Sequence, residues 1–144
     1  MEYRVKKLDE LTTLEFCRIV QERIAVFVVE QNCPYQEVDA VDEWAWHTYL
    51  EDEDGTILAY TRIYEEADAI HFGRVLVNQK YRKDGLGRQI VQQTIETIEE
   101  KYPEMPILIG AQEYLRSFYE SFGFEAVSDV YLEDDIPHID MRKA

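Results

Sequence analysis

Residues 81–98, YRKDGLGRQIVQQTIETI, constrain the fold more than any other stretch of the chain. Leu86, Ile90, Val91, Ile95 and Ile98 recur at the three- and four-residue steps of one helix face. Immediately upstream, 69–77 (AIHFGRVLV) reads as a strand, and Gly85 and Gly87 sit in the connection between the two. A strand, a short glycine loop and an amphipathic helix in that order require a sheet with a helix laid on its face. The loop is also electrically out of character. The 144-residue chain carries a formal net charge of −15, yet Arg74, Lys80, Arg82, Lys83 and Arg88 crowd around one acid, Asp84.

The remaining pattern fills in the sheet. Alternation over 3–8 gives a first strand, and Cys17, Val20, Ile24, Phe27 and Val28 place a helix over 13–29. Asn32-Cys33-Pro34 ends that helix, because proline disfavours helix in the residue before it. The segment 36–43 reads as a solvated acidic loop, and strands 47–51 and 57–64 flank the turn signal Asp54-Gly55. Pro103 and Pro106 bracket the exit of the second helix. The apolar run 107–111 suits a strand at the centre of a sheet. A short helix over 114–122 stops at Gly123, and strands at 125–131 and 138–142 close the chain. No repeat or linker interrupts this order. Residues 1–144 are expected to form a single α/β domain, a mixed sheet with helices on its faces.

Several functional classes fall away. A composition of 46% hydrophobic and 31% charged residues is that of a folded chain, not a disordered one. The opening MEYRVKKLDE has no apolar signal core, and the longest apolar run, 24–29, is far too short to cross a bilayer. The expectation is a cytoplasmic protein without a membrane partner, with Cys17 and Cys33 as reduced thiols. Net acidity repels phosphates, so nucleic acid is not an expected partner, whereas a cationic substrate is compatible with it.

A strand, a basic glycine loop and a helix start make an anion site. Free backbone N–H groups and the helix dipole favour phosphate there, and glycine lets the backbone come close. The same residues also suit an ordinary solvated helix start. Two phosphate loops are ruled out: no glycine is followed by Lys-Ser or Lys-Thr, and Ile90 stands where a dinucleotide fingerprint needs glycine or alanine. What remains is Arg-x-x-Gly-x-Gly, formed by Arg82, Gly85 and Gly87.

That pattern, Arg82-Lys83-Asp84-Gly85-Leu86-Gly87, resembles the acetyl-coenzyme A pyrophosphate loop of the GNAT superfamily of N-acetyltransferases. A second signature is similar too: Gln112, then Phe118-Tyr119-Glu120-Ser121-Phe122-Gly123-Phe124. The segments AVFVVEQNCPYQEVD, GAQ and EDDIPHIDM resemble the ElaA-like branch, so the resemblance covers nearly the whole chain. It implies a GNAT-type acyl-CoA N-acyltransferase fold, a mixed and mostly antiparallel sheet flanked by helices. It implies acetyl-CoA as co-substrate and a small-molecule or peptide amine as acceptor, with direct transfer in a ternary complex. A coenzyme A sensor of the same fold is the alternative, and a homodimer is left open.

The resemblance also distributes roles. Leu76 and Val77 would meet the pantetheine arm and thioester. Arg82, Lys83, Asp84, Gly85, Leu86, Gly87 and Arg88 would hold the phosphates, and Gln112 and Phe118 would line the arm. Lys83 stands where the family often has glycine, and Gln112 where many members have asparagine. Tyr119 would be the general acid, since a phenol is protonated at neutral pH and can donate to a departing thiolate. On simple alternation His71 shares a strand face with Gly73, Val75 and Val77 and is a candidate base; water is the other candidate. Glu30, Asp39 and His138 are candidates for the acceptor side. Asp39, Asp42, His47, His71 and His138 have no metal-ligand spacing, so no metal is expected.

Overall fold

The computed structural model describes residues 1–144. The chain runs β1 (Glu2–Lys6), α1 (Thr13–Ile24), β2 (Trp46–Glu51), β3 (Ile57–Glu66) and β4 (Ala69–Val77). It continues through α2 (Leu86–Lys101), β5 (Ile107–Gln112), α3 (Arg116–Glu120), β6 (Glu125–Ala126), β7 (Tyr131–Glu133) and β8 (Ile136–Lys143). The sheet order is β1-β2-β3-β4-β5-β8-β6, with β7 on β8. Only β4 and β5 pair in parallel; every other pairing is antiparallel.

α2 lies where its apolar stripe predicts. Ile90, Val91, Ile95 and Ile98 are buried against Leu58, Ile63, Ile70, Phe72 and Ile109 of the sheet. Beneath it the hydroxyls of Thr48, Thr61 and Thr94 bond to one another, so these buried polar groups are satisfied. On the other face of the sheet α1 covers a smaller core of Ile19, Val26, Tyr49, Ile57, Tyr60 and Leu76. α1 begins in a capping box, Thr12 accepting from Glu15 N and Glu15 accepting from Thr12 N.

Three elements differ from the sequence pattern. The helix expected over 13–29 is α-helical to Ile24 and continues as a π-helical turn, Ala25–Glu30. The wider turn rotates the side chains that follow, burying Val26, exposing Val29 and turning Glu30 toward Arg82. The helix expected over 114–122 is α-helical only in α3, after a 3-10 turn over Glu113–Leu115, and Gly123 ends it with φ 96°. The strand expected at 125–131 is split into β6 and β7. At that corner Val127 N donates to Asp140 O and Ser128 Oγ accepts from Asp140 N, so a side chain replaces one ladder bond.

The acidic loop is only partly solvated: Gln36, Ala40 and Glu43 are exposed, but two of its acids turn inward. Glu37 and Asp42 are buried with Arg23, whose guanidinium is fully enclosed beneath α1. Arg23 donates to Glu37 at 2.9 and 2.6 Å and to Asp42 at 2.7 and 3.1 Å. Burial alone would raise the Asp42 carboxyl, but the guanidinium groups of Arg23 and Arg62 outweigh it and hold it below the ordinary range.

Candidate functional site

The sheet opens where its one parallel pairing stops. β4 and β5 share only the pairs Ile70↔Ile107 and His71↔Leu108. Beyond them β4 follows β3 as far as Val77, while β5 follows β8 as far as Gln112. The strands part around a cleft of about 690 Å³, within the usual size of a small-molecule site. Leu76, Val77 and Gly87 form one wall, Ala111 and Gln112 the other, and Phe118 and Tyr119 of α3 close one side.

A bulge fixes which side chains face which way. The pairs Arg62↔Gly73 and Tyr60↔Leu76 leave two residues of β4, Arg74 and Val75, opposite Thr61 alone. Ile70 and Phe72 pack under α2, as do Val75 and Val77, while Leu76 packs on the α1 side. The bulge has therefore inverted the alternation, and His71 does not share a face with Val75 and Val77. His71 stacks on Tyr64, with ring centroids 5.2 Å apart, and does not line the cleft. The candidate base is displaced by one extra strand residue.

The glycine loop divides its work. Gly85 caps α2 with φ 71°, a left-handed conformation that side chains rarely adopt. Gly87 has no such constraint; a Cβ there would meet only Val77 Cγ2, at 3.6 Å, so its bare edge is presented to the cleft. Leu86 is buried in the core beneath the loop. Lys83 and Asp84 are exposed just outside the cleft, and Gln89 N is already bonded to Gly85 O. The amides of 86–88 thus head α2 without intrahelical partners.

The loop's arginines are occupied. Both terminal nitrogens of Arg82 bond Glu30 at 2.6 Å, and its Nε donates to Val77 O at 3.1 Å. This fork holds the Glu30 carboxyl below the ordinary range and takes both its oxygens, so Glu30 lines the cleft without being free for an amine. Arg88 lies over the Phe118 and Phe122 rings, 5.5 and 4.7 Å from their centroids, and donates to Ser121 Oγ.

Asp39 also has a structural occupation. It caps the 3-10 turn Ala40–Glu43 and pairs with Arg62 at 2.7 Å, outside the cleft. His138 does reach the cleft and is only 7% exposed. Its Nδ1–H donates to Ile136 O at 2.7 Å, and its Nε2 lies 3.4 Å from Glu133 Oε2. Gln112 faces Gln31 across the cleft, its Nε2 3.5 Å from Oε1.

Tyr119 is 5% exposed, packed among Phe72, Phe118 and Phe124, and lines the cleft. No hydrogen bond within the protein engages its hydroxyl. Burial pushes the phenol well above its ordinary range, so it keeps its proton at neutral pH. The group is a donor waiting for an acceptor.

Sequence reasoning missed the far end of the cleft, lined by Tyr35, Arg62, Tyr64, Arg74 and Glu133. One signal was available. A glycine followed by an arginine inside an otherwise apolar strand, Gly73-Arg74, is a mark of a bulge.

A sheet splayed at its one parallel pair, with a glycine-headed helix at the mouth, is the architecture of the acyl-CoA N-acyltransferases. A solved acyl-CoA N-acyltransferase from Pseudomonas aeruginosa superposes with a TM-score of 0.95 at 38% identity, covering 100% of both chains. The chain belongs to the GNAT acetyltransferase family, whose domain model, "Acetyltransferase (GNAT) domain", matches residues 17–144. It is 40% identical to protein ElaA of Escherichia coli over 139 residues, 94% of this chain and 91% of that one. The crystal structure of ElaA matches with a TM-score of 0.94 over 100% of both chains. An aminoglycoside 6'-N-acetyltransferase solved with coenzyme A, 13% identical, shares the fold alone, with a TM-score of 0.70 over 97% of this chain and 96% of that one.

Proposed function

We propose that the protein transfers an acetyl group from acetyl-CoA directly to a primary amine of a small molecule or peptide, both bound in the cleft at once. The observation that carries this reading is the Tyr119 hydroxyl, without a hydrogen-bond partner in the protein, on a largely buried ring that lines the same cleft as Leu76 and Val77. The residues present fit the co-substrate. The free amides at the head of α2 and the bare edge of Gly87 suit a pyrophosphate, with Lys83 and Arg88 adding charge nearby. Arg82, held by Glu30, braces the loop against β4 instead of reaching out as a free cation. The apolar walls and the Gln112 amide suit a pantetheine arm.

The thioester supplies an activated acetyl group when bound. Backbone N–H groups at the end of β4 stabilise charge on the carbonyl oxygen. The amine nitrogen forms the new C–N bond as the C–S bond breaks, and the departing sulfur takes up a proton. Tyr119 serves that sulfur. Because burial keeps its phenol a reluctant acid, its main contribution is a strong hydrogen bond to the developing thiolate, with proton transfer completing as solvent returns. The amine loses its proton to water or to His138, the histidine that lines the cleft.

The test is a panel of amines and basic peptides incubated with acetyl-CoA, following free thiol release. At least one acceptor should give amine-dependent release with the product acetylated on nitrogen. Tight coenzyme A binding with no turnover across the panel would replace the reading with a coenzyme A sensor.

A further inference from the structure

The bulge that shapes the cleft rests on an awkward residue. Arg74 has φ 50°, a left-handed backbone that glycine takes at this position of a bulge and that a Cβ disfavours. Gly73 is adjacent and does not adopt it. Something other than local preference keeps Arg74 there.

Its side chain shows what. Arg74 Nη2 donates to Glu37 O at 3.1 Å, Nε lies 2.8 Å from Glu37 Oε1 as an ionic contact too misaligned for a hydrogen bond, and the guanidinium sits 5.4 Å from the Tyr35 ring centroid. Tyr35 donates to the same Oε1 at 3.0 Å. The other oxygen, Oε2, is taken twice by the enclosed Arg23, which is anchored through Asp42 to Arg62 of β3. The charges on this patch cancel in pairs, three arginines against Glu37, Asp39 and Asp42. The connection runs from α1 through Glu37 to a backbone kink two residues before Leu76.

We infer that Arg74 is a positioning residue for the transfer reaction: clamped by Glu37, it holds the left-handed bulge of β4 and the Tyr35 wall of the cleft in one register. This rests on the transferase reading above. The clamp fixes where the backbone N–H groups after the bulge point, and it sets the distance between them and the Tyr35 wall. It acts through the backbone and not on the reacting atoms. Rate in such a site depends on placement to within about an ångström.

Arg74→Gly is the discriminating variant, because glycine accepts the bulge conformation while removing the clamp. The thermal midpoint and coenzyme A affinity should stay near wild type. Amides 74–77 should exchange with deuterium faster than in the wild-type coenzyme A complex. With an acceptor in hand, kcat should fall about 10²-fold at unchanged KM for acetyl-CoA. Glu37→Gln keeps a hydrogen-bonding group for Arg23 and weakens the same link, so it should shift exchange in the same direction. The double variant should be no worse than Arg74→Gly alone, and Arg74→Lys should recover part of the rate. Wild-type exchange rates at 74–77 in Arg74→Gly would overturn the inference, as would additive losses in the double variant, which would mark two independent contacts. Wild-type protein that acetylates no amine refutes the transferase reading instead, and the exchange measurement then decides the clamp by itself.

Discussion

The two halves of the cleft are built on different physics. The proposed donor half, made by α2, α3 and the end of β4, is apolar packing topped by backbone: Leu86, Ile90 and Val91 are buried beneath a loop whose Gly87 edge is bare. The proposed acceptor half, made by 33–43, β3 and the middle of β4, is held by buried charges, with Arg23 enclosed between Glu37 and Asp42. Apolar packing is non-directional and tolerates change at its surface, so donor-half function can be removed while the fold stays. A buried ion pair tolerates no single loss, because the surviving partner is left charged and dry. Around the enclosed Arg23, function and stability are tied together; Arg74 lies at the more exposed rim, and its loss leaves Glu37 still paired with Arg23.

The sharpest contrast is between Tyr119 and Arg23. Tyr119→Phe keeps the ring and its packing and should slow the chemical step on the order of 10²–10⁴-fold, with stability and coenzyme A affinity little changed. The loss should shrink with acyl donors whose leaving thiol is more acidic. Full activity with every donor would remove Tyr119 from the reaction, and unfolding would reveal a structural hydroxyl. Arg23→Met should do the opposite, costing about 3–5 kcal/mol in chemical denaturation by stranding Glu37 and Asp42. A loss below about 1 kcal/mol would mean that the acceptor half is held by packing like its counterpart.

Gly87→Glu should leave the fold intact, since the site of the new Cβ is open except for Val77. Its carboxylate would face the pyrophosphate, and like-charge juxtaposition costs several kcal/mol, so coenzyme A affinity should fall by a factor of about a hundred or more in calorimetry. Unchanged affinity would put the phosphate site elsewhere.

Acid should also separate the halves, whereas alkali should loosen both, because burial raises Tyr35 and Tyr60 as well as Tyr119. Burial lowers the His47 pKa from its ordinary 6.5, so the stability tied to its neutral form is complete above pH 6.5 and declines as pH falls toward the folded value. Asp39 and Asp42, held low by arginines against the opposing effect of burial, add a second loss below their ordinary 3.8. Tyr119 acts in the other direction: raised by burial, it contributes stability that is complete below pH 10.0 and lost as pH climbs above it. Amide exchange followed across pH should show the acceptor half loosening first in acid. The smallest effect belongs to Lys83→Ala. With Arg82 already neutralised by Glu30, Lys83 is an exposed cation of the loop, and its loss should weaken coenzyme A binding a few-fold and flatten the salt dependence. Salt-independent binding would reduce the loop's charge to solvated surface.

The sequence by itself determined the order of the elements as far as α3, the glycine-headed α2 with its apolar stripe, the apolar central strand β5 and the Phe118-Tyr119 segment at the cleft. These are local properties: side-chain period, caps and turn residues act within a few positions along the chain. Tertiary structure decided the rest. The bulge at Arg74 is set by β4 pairing with β3, and one added residue reverses every later side chain, which removed His71 from the site. Arg23 meets Glu37 and Asp42 across 14 and 19 residues, and Arg82 meets Glu30 across 52. Glu30, Glu37, Asp39 and Asp42 look alike as acids in sequence. Which of them are buried, paired or free depends on where distant arginines arrive, and only the assembled sheet brings those arginines to them.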